Sequence, residues 1–179
     1  MCIRDRELAF VQQAVGGDDG IGSAALPLAL QPVVVVRDGF GTPLSTPEVA
    51  VSVRVLSGAA KAGGEAGPQL RGATVVHTTL SDPLRTNLTG QYAVFADLSL
   101  GTAGTWTLIA SSDVLDGTAI SEPITITPSA PHSLRFTRAE HGHAAPGSDY
   151  AVAGEPIEPG YVVQMLDAGG NNVTISNNE

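Results

Sequence analysis

The chain has 179 residues, of which 9 are basic and 18 acidic, and its formal net charge is −9. Proteins that bind nucleic acid or anionic lipid need clustered Lys and Arg to neutralise phosphate, so this acidic balance argues against both partners. Cys2 is the only cysteine, which excludes an intramolecular disulfide. No apolar run in the sequence is long enough to cross a membrane.

The composition favours an all-β fold. Hydrophobic residues make up 42% of the chain and charged residues 15%, while 21 glycines and 12 prolines separate short apolar runs. Such runs, divided by turn-forming residues, are typical of a sandwich or barrel with many turns.

Predicted strands follow one another at short intervals along the chain. The clearest alternation places Val49, Val51 and Val53 on one face. Between two strands, Asp38–Gly41 predicts a turn in which the Asp bonds its own backbone and a Gly takes a positive φ. The predicted set is Glu7–Gln13, Gln31–Arg37, Val49–Leu56, Ala73–Leu80, Gln91–Leu100, Thr105–Ser111 and Ile120–Thr127. This pattern predicts an immunoglobulin-like β-sandwich.

One predicted strand, Gln91–Leu100, contains a conflict of faces. Tyr92 and Leu98 fall on one face and Phe95 on the other, which predicts a bulge near Asp97 that exchanges the two faces. The predicted core residues are Phe10, Val51, Val53, Phe95, Trp106 and Leu108.

The sequence repeats itself after about two thirds of its length. The distance from Phe to Pro is 22 residues in the first copy and 23 in the second, and from Phe to Asp it is 28 and 31. Self-similarity of this kind indicates an array of modules. The corresponding segments are Leu8–Phe10 and Leu134–Phe136, Leu30–Pro32 and Ile157–Pro159, and Asp38–Gly41 and Asp167–Gly170.

This repeat predicts the domain organisation. Residues 1–6 resemble translated sequencing-adaptor sequence, or else form a short disordered tail. Residues 7–127 form one complete module, 128–131 a linker stiffened by two prolines, and 132–179 the N-terminal part of a truncated second module. We expect this last part to be poorly stable alone, because half a sandwich leaves an apolar face and open edges exposed.

The order of elements resembles bacterial immunoglobulin-like repeats, the modules of invasin-, intimin- and other adhesin-type surface proteins. The segments that carry the resemblance are Leu8–Phe10, Pro32–Val36, Asp38–Gly41, Val49–Val53, Tyr92–Leu98, Ala103–Leu108, Ser121–Ile126, Ala153–Pro159 and Asp167–Asn171. The resemblance implies a secreted or cell-surface protein whose modules serve as spacers, stalks or adhesive tips. The family often carries Tyr at the position of Trp106, where a hydroxyl can bond backbone across a corner; an indole offers only an N–H donor.

Candidate metal ligands are sparse. His141 and His143 supply two ligands in a Gly-rich loop, fewer than a zinc site needs, and His77 in mid-strand is interpreted as a sheet-surface residue. Calcium needs six to eight converging oxygens. The candidate acidic residues, which follow no calcium-loop spacing, are Asp18, Asp19, Asp113, Asp116 and Asp167. The sequence predicts neither a metal site nor a cofactor.

No catalytic residue is predicted either. A Gly-x-Ser-x-Gly elbow is missing, and Gly101–Gly104 lacks the Lys and the following helix of a phosphate-binding loop. Asn87 and Asn172 each begin an Asn-x-Thr glycosylation pattern, although unmodified turn residues are the alternative interpretation. The chain is therefore interpreted as a non-enzyme.

The predicted function is a structural or adhesive module in a repetitive extracellular or cell-surface protein. Its predicted partners are neighbouring immunoglobulin-like modules and a host or surface protein or glycan. A binding surface, if present, is expected on the loops Ala14–Leu26 and Ser57–Arg71. Two alternatives remain open: a carbohydrate-binding-like accessory module of a secreted enzyme, and an intracellular filamin-like repeat. Exposure of Trp106, Tyr92 and Phe40 would favour the first of these.

Overall fold

The computed structural model describes residues 6–16, 21–45, 48–60, 69–81, 83, 89–138 and 161–174. All regular elements within these ranges are strands, so no helix there is long and apolar enough to cross a membrane. The strands are β1 (Arg6–Gln12), β2 (Ile21–Ser23), β3 (Val33–Asp38), β4 (Ala50–Ala60), β5 (Leu70–Arg71), β6 (Val75–His77), β7 (Thr79–Ser81), β8 (Gly90–Val94), β9 (Ser99–Leu100), β10 (Gly104–Ser111), β11 (Ala119–Ile120), β12 (Ile124–Thr127), β13 (Ser133–Arg138) and β14 (Tyr161–Leu166).

Two sheets form the main body of the protein. The first has the strand order β1-β3-β8-β7 and is antiparallel throughout. In the second, of order β2-β12-β10-β4-β6, only the β2–β12 pair is parallel, and β11 adds to the end of β10. Two short antiparallel pairs, β5–β9 and β13–β14, complete the described strands.

This strand order is that of an immunoglobulin-type sandwich. Strands β1, β3, β8 and β7 take the places of A, B, E and D, and β4, β10 and β12 take those of C, F and G. The predicted all-β, immunoglobulin-like sandwich is confirmed. We call the part formed by β1–β12 the sandwich and the β13–β14 pair the hairpin.

The core lies between the two sheets. Alternate residues of facing strands point inward, among them Val34 and Ala93 from the first sheet and Val51 and Leu108 from the second, and Phe95, directly after β8, joins them. Burial of these apolar side chains is the main contribution to the stability of such a sandwich. Of the predicted core residues, five are fully buried, and Phe10 is half-buried against the same cluster.

Several predicted elements differ from the observed ones. Arg6, assigned to the terminal tail, is the first residue of β1 and pairs with Asp38. The predicted strand Ala73–Leu80 is two strands in different sheets, divided at Thr78. Thr78 is buried there, and its Oγ1 accepts the backbone N–H of Val49 at 2.9 Å. At Thr78 the chain passes from the second sheet to the first, and its hydroxyl takes the place of a backbone acceptor. The periodicity of a strand cannot predict such a passage.

The predicted exchange of faces near Asp97 occurs, but between two strands and not within one. Phe95 points into the main core, whereas Tyr92 packs on the outer side against Val33 and Val35. After the irregular segment that follows β8, Leu98 lies in the main core again.

Trp106 makes a hydrogen bond across the corner, although it has an indole N–H in place of a Tyr hydroxyl. Its Nε1–H donates to the carbonyl oxygen of Thr102, four residues upstream, at 2.8 Å. The ring itself is buried in the main core. Trp106 therefore does what a Tyr hydroxyl does at the E–F corner of related sandwiches.

Candidate functional site

The first predicted binding loop, Ala14–Leu26, is packed against the sandwich over most of its described length. It contains β2, which pairs in parallel with β12, and Ala24 is fully buried. The backbone N–H of Ala24 donates to the carbonyl of Thr127 at 2.8 Å. Residues 17–20, at the tip of the predicted loop, lie outside the described residues. The prediction of a loop is wrong for Ile21–Ser23, because β12 at the end of the second sheet offers an edge to which these residues bond.

Gln31 fixes the chain just after that segment, at Leu28, to the backbone of Leu98. Its Nε2 donates to the carbonyl oxygens of Leu28 at 2.9 Å and Leu98 at 3.1 Å, and its Oε1 accepts the N–H of Leu98 at 2.9 Å. The side-chain amide thus acts as an extra peptide group between two backbone segments.

We expect Gln31→Ala to lower the free energy of unfolding by about 1–3 kcal/mol, because part-buried backbone groups lose their partners. Urea denaturation measures this. Gln13→Ala is the matched control: the Oε1 of Gln13 accepts an exposed N–H from Glu122, and its loss should cost about 0.5 kcal/mol. Equal effects of the two substitutions would contradict the role given to Gln31.

The second predicted binding loop, Ser57–Arg71, is also partly strand. β4 continues to Ala60 alongside β10, and Leu70 and Arg71 form β5. The run of small residues at the end of β4 has no alternation that could predict a strand. Residues 61–68 lie outside the described residues.

Trp106, Tyr92 and Phe40 do not form an exposed aromatic surface on which a sugar ring could stack. Trp106 and Tyr92 are buried, and only Phe40 is open to solvent, with 96% of its surface exposed. Sugar-binding surfaces usually present several aromatic rings together. This distribution counts against the carbohydrate-binding alternative.

The candidate metal ligands that lie within the described residues are not brought together. Within the described ranges, no group of three or more His, Cys, Asp and Glu side chains is placed to hold a metal ion. His77 lies exposed on β6, with its Nδ1 3.5 Å from a carboxylate oxygen of Glu48. Asp113 and Asp116 are exposed. The metal-ligand candidates Asp18, Asp19, His141 and His143 lie outside the described residues, as does Asn87 of the first glycosylation pattern.

The two Asp-containing turns share the hydrogen bonds that backbone N–H groups donate to the Asp side chain. We call Asp38–Thr42 the first turn and Asp167–Asn171 the second turn. In each, Oδ1 of the Asp accepts the N–H groups of the third and fifth residues at 2.8–2.9 Å. The fourth residue is a Gly, with φ of 85° in the first turn and 80° in the second. The predicted Asp and Gly roles are thus confirmed in the first turn.

The surroundings of the two turns differ. The first turn is exposed, whereas the second lies against the sandwich: Asp167 is 2% and Asn171 4% exposed. Oδ2 of Asp167 accepts the backbone N–H of Ser129, in the linker, at 2.9 Å. It also accepts a bond from Asn171 Nδ2 at 2.9 Å.

Asn171 connects the second turn to the backbone of the sandwich. Its Nδ2 donates to the carbonyl oxygen of Gly101 at 3.0 Å, and its Oδ1 accepts the N–H of Ala103 at 2.8 Å. We call Gly101–Ala103, which precedes β10, the corner loop. One carboxamide therefore satisfies a buried donor and a buried acceptor of the corner loop together.

The electrostatics of Asp167 follow from these contacts. Burial raises the pKa of its carboxyl, but the hydrogen bonds from Asn171, Ser129 and Gly169 outweigh burial and hold the pKa below its usual value. Both carboxylate oxygens already accept N–H groups. Binding of a calcium ion by Asp167 would require those bonds to break.

This junction between the sandwich and the hairpin is the most specific site in the described structure, and the sequence did not predict it. The Asp-Ala-Gly-Gly-Asn pattern at 167–171 indicated a turn, but its partner on the sandwich is backbone. A backbone partner leaves no residue signature in a sequence. Comparison with family models and with curated proteins gave no match to the chain.

Proposed function

We propose that the chain is a non-catalytic structural or adhesive part of a repetitive protein on the cell surface or outside the cell. In this proposal the sandwich is one module, and the hairpin is the A–B hairpin of the next. The observation that carries the proposal is the buried junction, in which Asn171 and Asp167 fix the hairpin to the corner loop and the linker. A hairpin held by its turn in this way serves as a link between modules.

The registers of the two A–B pairs support this assignment. In the sandwich, Leu8 pairs with Val36, and in the hairpin Leu134 pairs with Met165. Phe10 likewise pairs with Val34, as Phe136 pairs with Val163. The same residue types thus occupy the same ladder positions relative to the Asp turn.

The hairpin exposes apolar side chains whose counterparts in the sandwich face the core. Leu134 is 66% and Phe136 72% exposed, whereas their counterparts Leu8 and Phe10 lie against the core of the sandwich. Exposed apolar patches of this kind mark surfaces that pack against another element. In the proposal, a second sheet covers this face.

A stalk or spacer role is favoured over a role in catalysis. The described parts of the two predicted binding loops include strands bonded to their neighbours, and the linker between modules is fixed by Asp167. A stiff, acidic array resists collapse onto itself, since its modules repel one another. In this proposal, a module at the adhesive tip of the array binds a host or surface protein or a glycan.

The proposal is tested on intact cells of the source organism. An antibody raised against the sandwich should lose its signal after external protease treatment, while a cytoplasmic control protein stays intact. A signal that survives until the cells are lysed would contradict surface placement and favour the intracellular filamin-like alternative. The assay does not depend on knowing a ligand.

A further inference from the structure

The geometry points to a docking rule between modules: the corner loop accepts a turn of the pattern Asp-x-Gly-x-Asn and rejects the first turn of this same chain. The inference rests on the proposed modular function, because it treats the hairpin as part of a second module. The partner is a module whose B–C turn carries Gly at position three and Asn at position five.

Position three must be Gly because the turn approaches the sandwich backbone closely there. A Cβ added to Gly169 would collide with the carbonyl oxygen of Gly101 and lie 2.9 Å from Asn171 Nδ2. The carbonyl belongs to the backbone of the corner loop and cannot rotate away as a side chain could. In the first turn this position is Phe40, whose side chain is far larger.

Position five must carry a carboxamide. Asn171 presents a donor to Gly101 O and an acceptor to Ala103 N–H from two different atoms of one planar group. An Asp would place a second acceptor against the Gly101 carbonyl. Thr42, at this position of the first turn, has a single hydroxyl and cannot reach both groups.

The backbone shape of the turn does not distinguish the second turn from the first. The backbone N–H bonds to the Asp side chain are the same in both turns, so each presents positions three and five in the same way; the second turn adds the bonds from Asn171 Nδ2 to Asp167. Only the second turn has the two residues that the corner loop requires, Gly at position three and Asn at position five. Docking is therefore directional: the corner loop of one module takes the turn of the next, and copies of this chain do not stack through the first turn.

The test is amide hydrogen exchange on the full chain, read at Ala103, whose N–H donates to Asn171. Asn171→Thr and Gly169→Ala should each reduce protection of the Ala103 amide by about tenfold or more, since buried bonds are lost. The amide of Val173, bonded to Met165 O at 2.8 Å across the second turn, reports whether that turn stays folded. The matched control is Phe40→Ala in the first turn, which should leave the Ala103 amide unchanged.

Each outcome decides the rule. Loss of protection at Ala103 with Val173 still protected supports it. Unchanged protection at Ala103 in both variants, or an unprotected Ala103 amide in the natural chain, overturns it. Loss at both amides in both variants would assign Gly169 and Asn171 to turn folding alone and also overturn it. None of these results depends on where the protein resides, so failure of the rule is distinct from failure of the surface-placement test.

Discussion

Replacing Trp106 with Ala is expected to lower the free energy of unfolding of the sandwich by about 3–5 kcal/mol, the usual cost of removing a large buried aromatic side chain. Trp106 is 2% exposed and packs in the core between the two sheets. Its indole also provides the corner bond to Thr102 O, so the substitution leaves a cavity and also removes this bond. Denaturation followed by far-ultraviolet circular dichroism measures the change. Trp fluorescence cannot serve, because the substitution removes the only Trp of the chain.

Trp106→Phe separates the two contributions. A Phe ring keeps most of the packing but has no N–H, so its cost should be smaller and set largely by the corner bond, about 1–2 kcal/mol. Equal losses for the Ala and Phe variants would mean that packing of the ring contributes little. A loss below about 1 kcal/mol for Trp106→Ala would contradict the buried corner.

Acidification is expected to release the hairpin from the sandwich without unfolding the sandwich. When docked, the carboxyl of Asp167 has a lowered pKa; when released, it returns to its usual pKa. Its contribution to docking is therefore complete above the usual carboxyl pKa. It declines as the pH falls below that value and is lost once the pH is below the docked pKa. The chemical shift of the Ser129 amide, which donates to Asp167 Oδ2, follows the transition.

The matched substitution is Asp167→Ala, which removes the acceptor of the Ser129, Gly169 and Asn171 amides at every pH. The docked state should lose more than about 2 kcal/mol relative to the released one, since hydrogen bonds to a charged group are lost. This variant should show no acid transition at Ser129. A transition that persists in it would assign the titration to another group.

How far the sequence predicted the fold depends on the kind of signal. The alternation of Val49, Val51 and Val53 and the chemistry of the first turn are local, and both are confirmed. β2 has three residues, too few for any periodicity, and it forms because β12 offers a bonding edge. Its position depends on tertiary structure.

The candidate site was beyond sequence reasoning for a related reason. The binding loops were expected where Gly and Ala are frequent, yet such residues also allow close backbone packing, as at Ala24. At the junction, the selective residues Gly169 and Asn171 were visible in the sequence, but their partners are a carbonyl and an N–H of the corner loop. Their role depends on where the linker places the hairpin.

The central claim is that the hairpin is held in one orientation on the sandwich. Spin labels at Arg54 and Phe136, both exposed, placed in a chain whose only cysteine is replaced by Ser, report the distance between the two parts by pulsed electron resonance. The account predicts one narrow distance distribution near neutral pH that broadens in Asp167→Ala. A broad distribution in the unsubstituted junction, indistinguishable from that of Asp167→Ala, would contradict it.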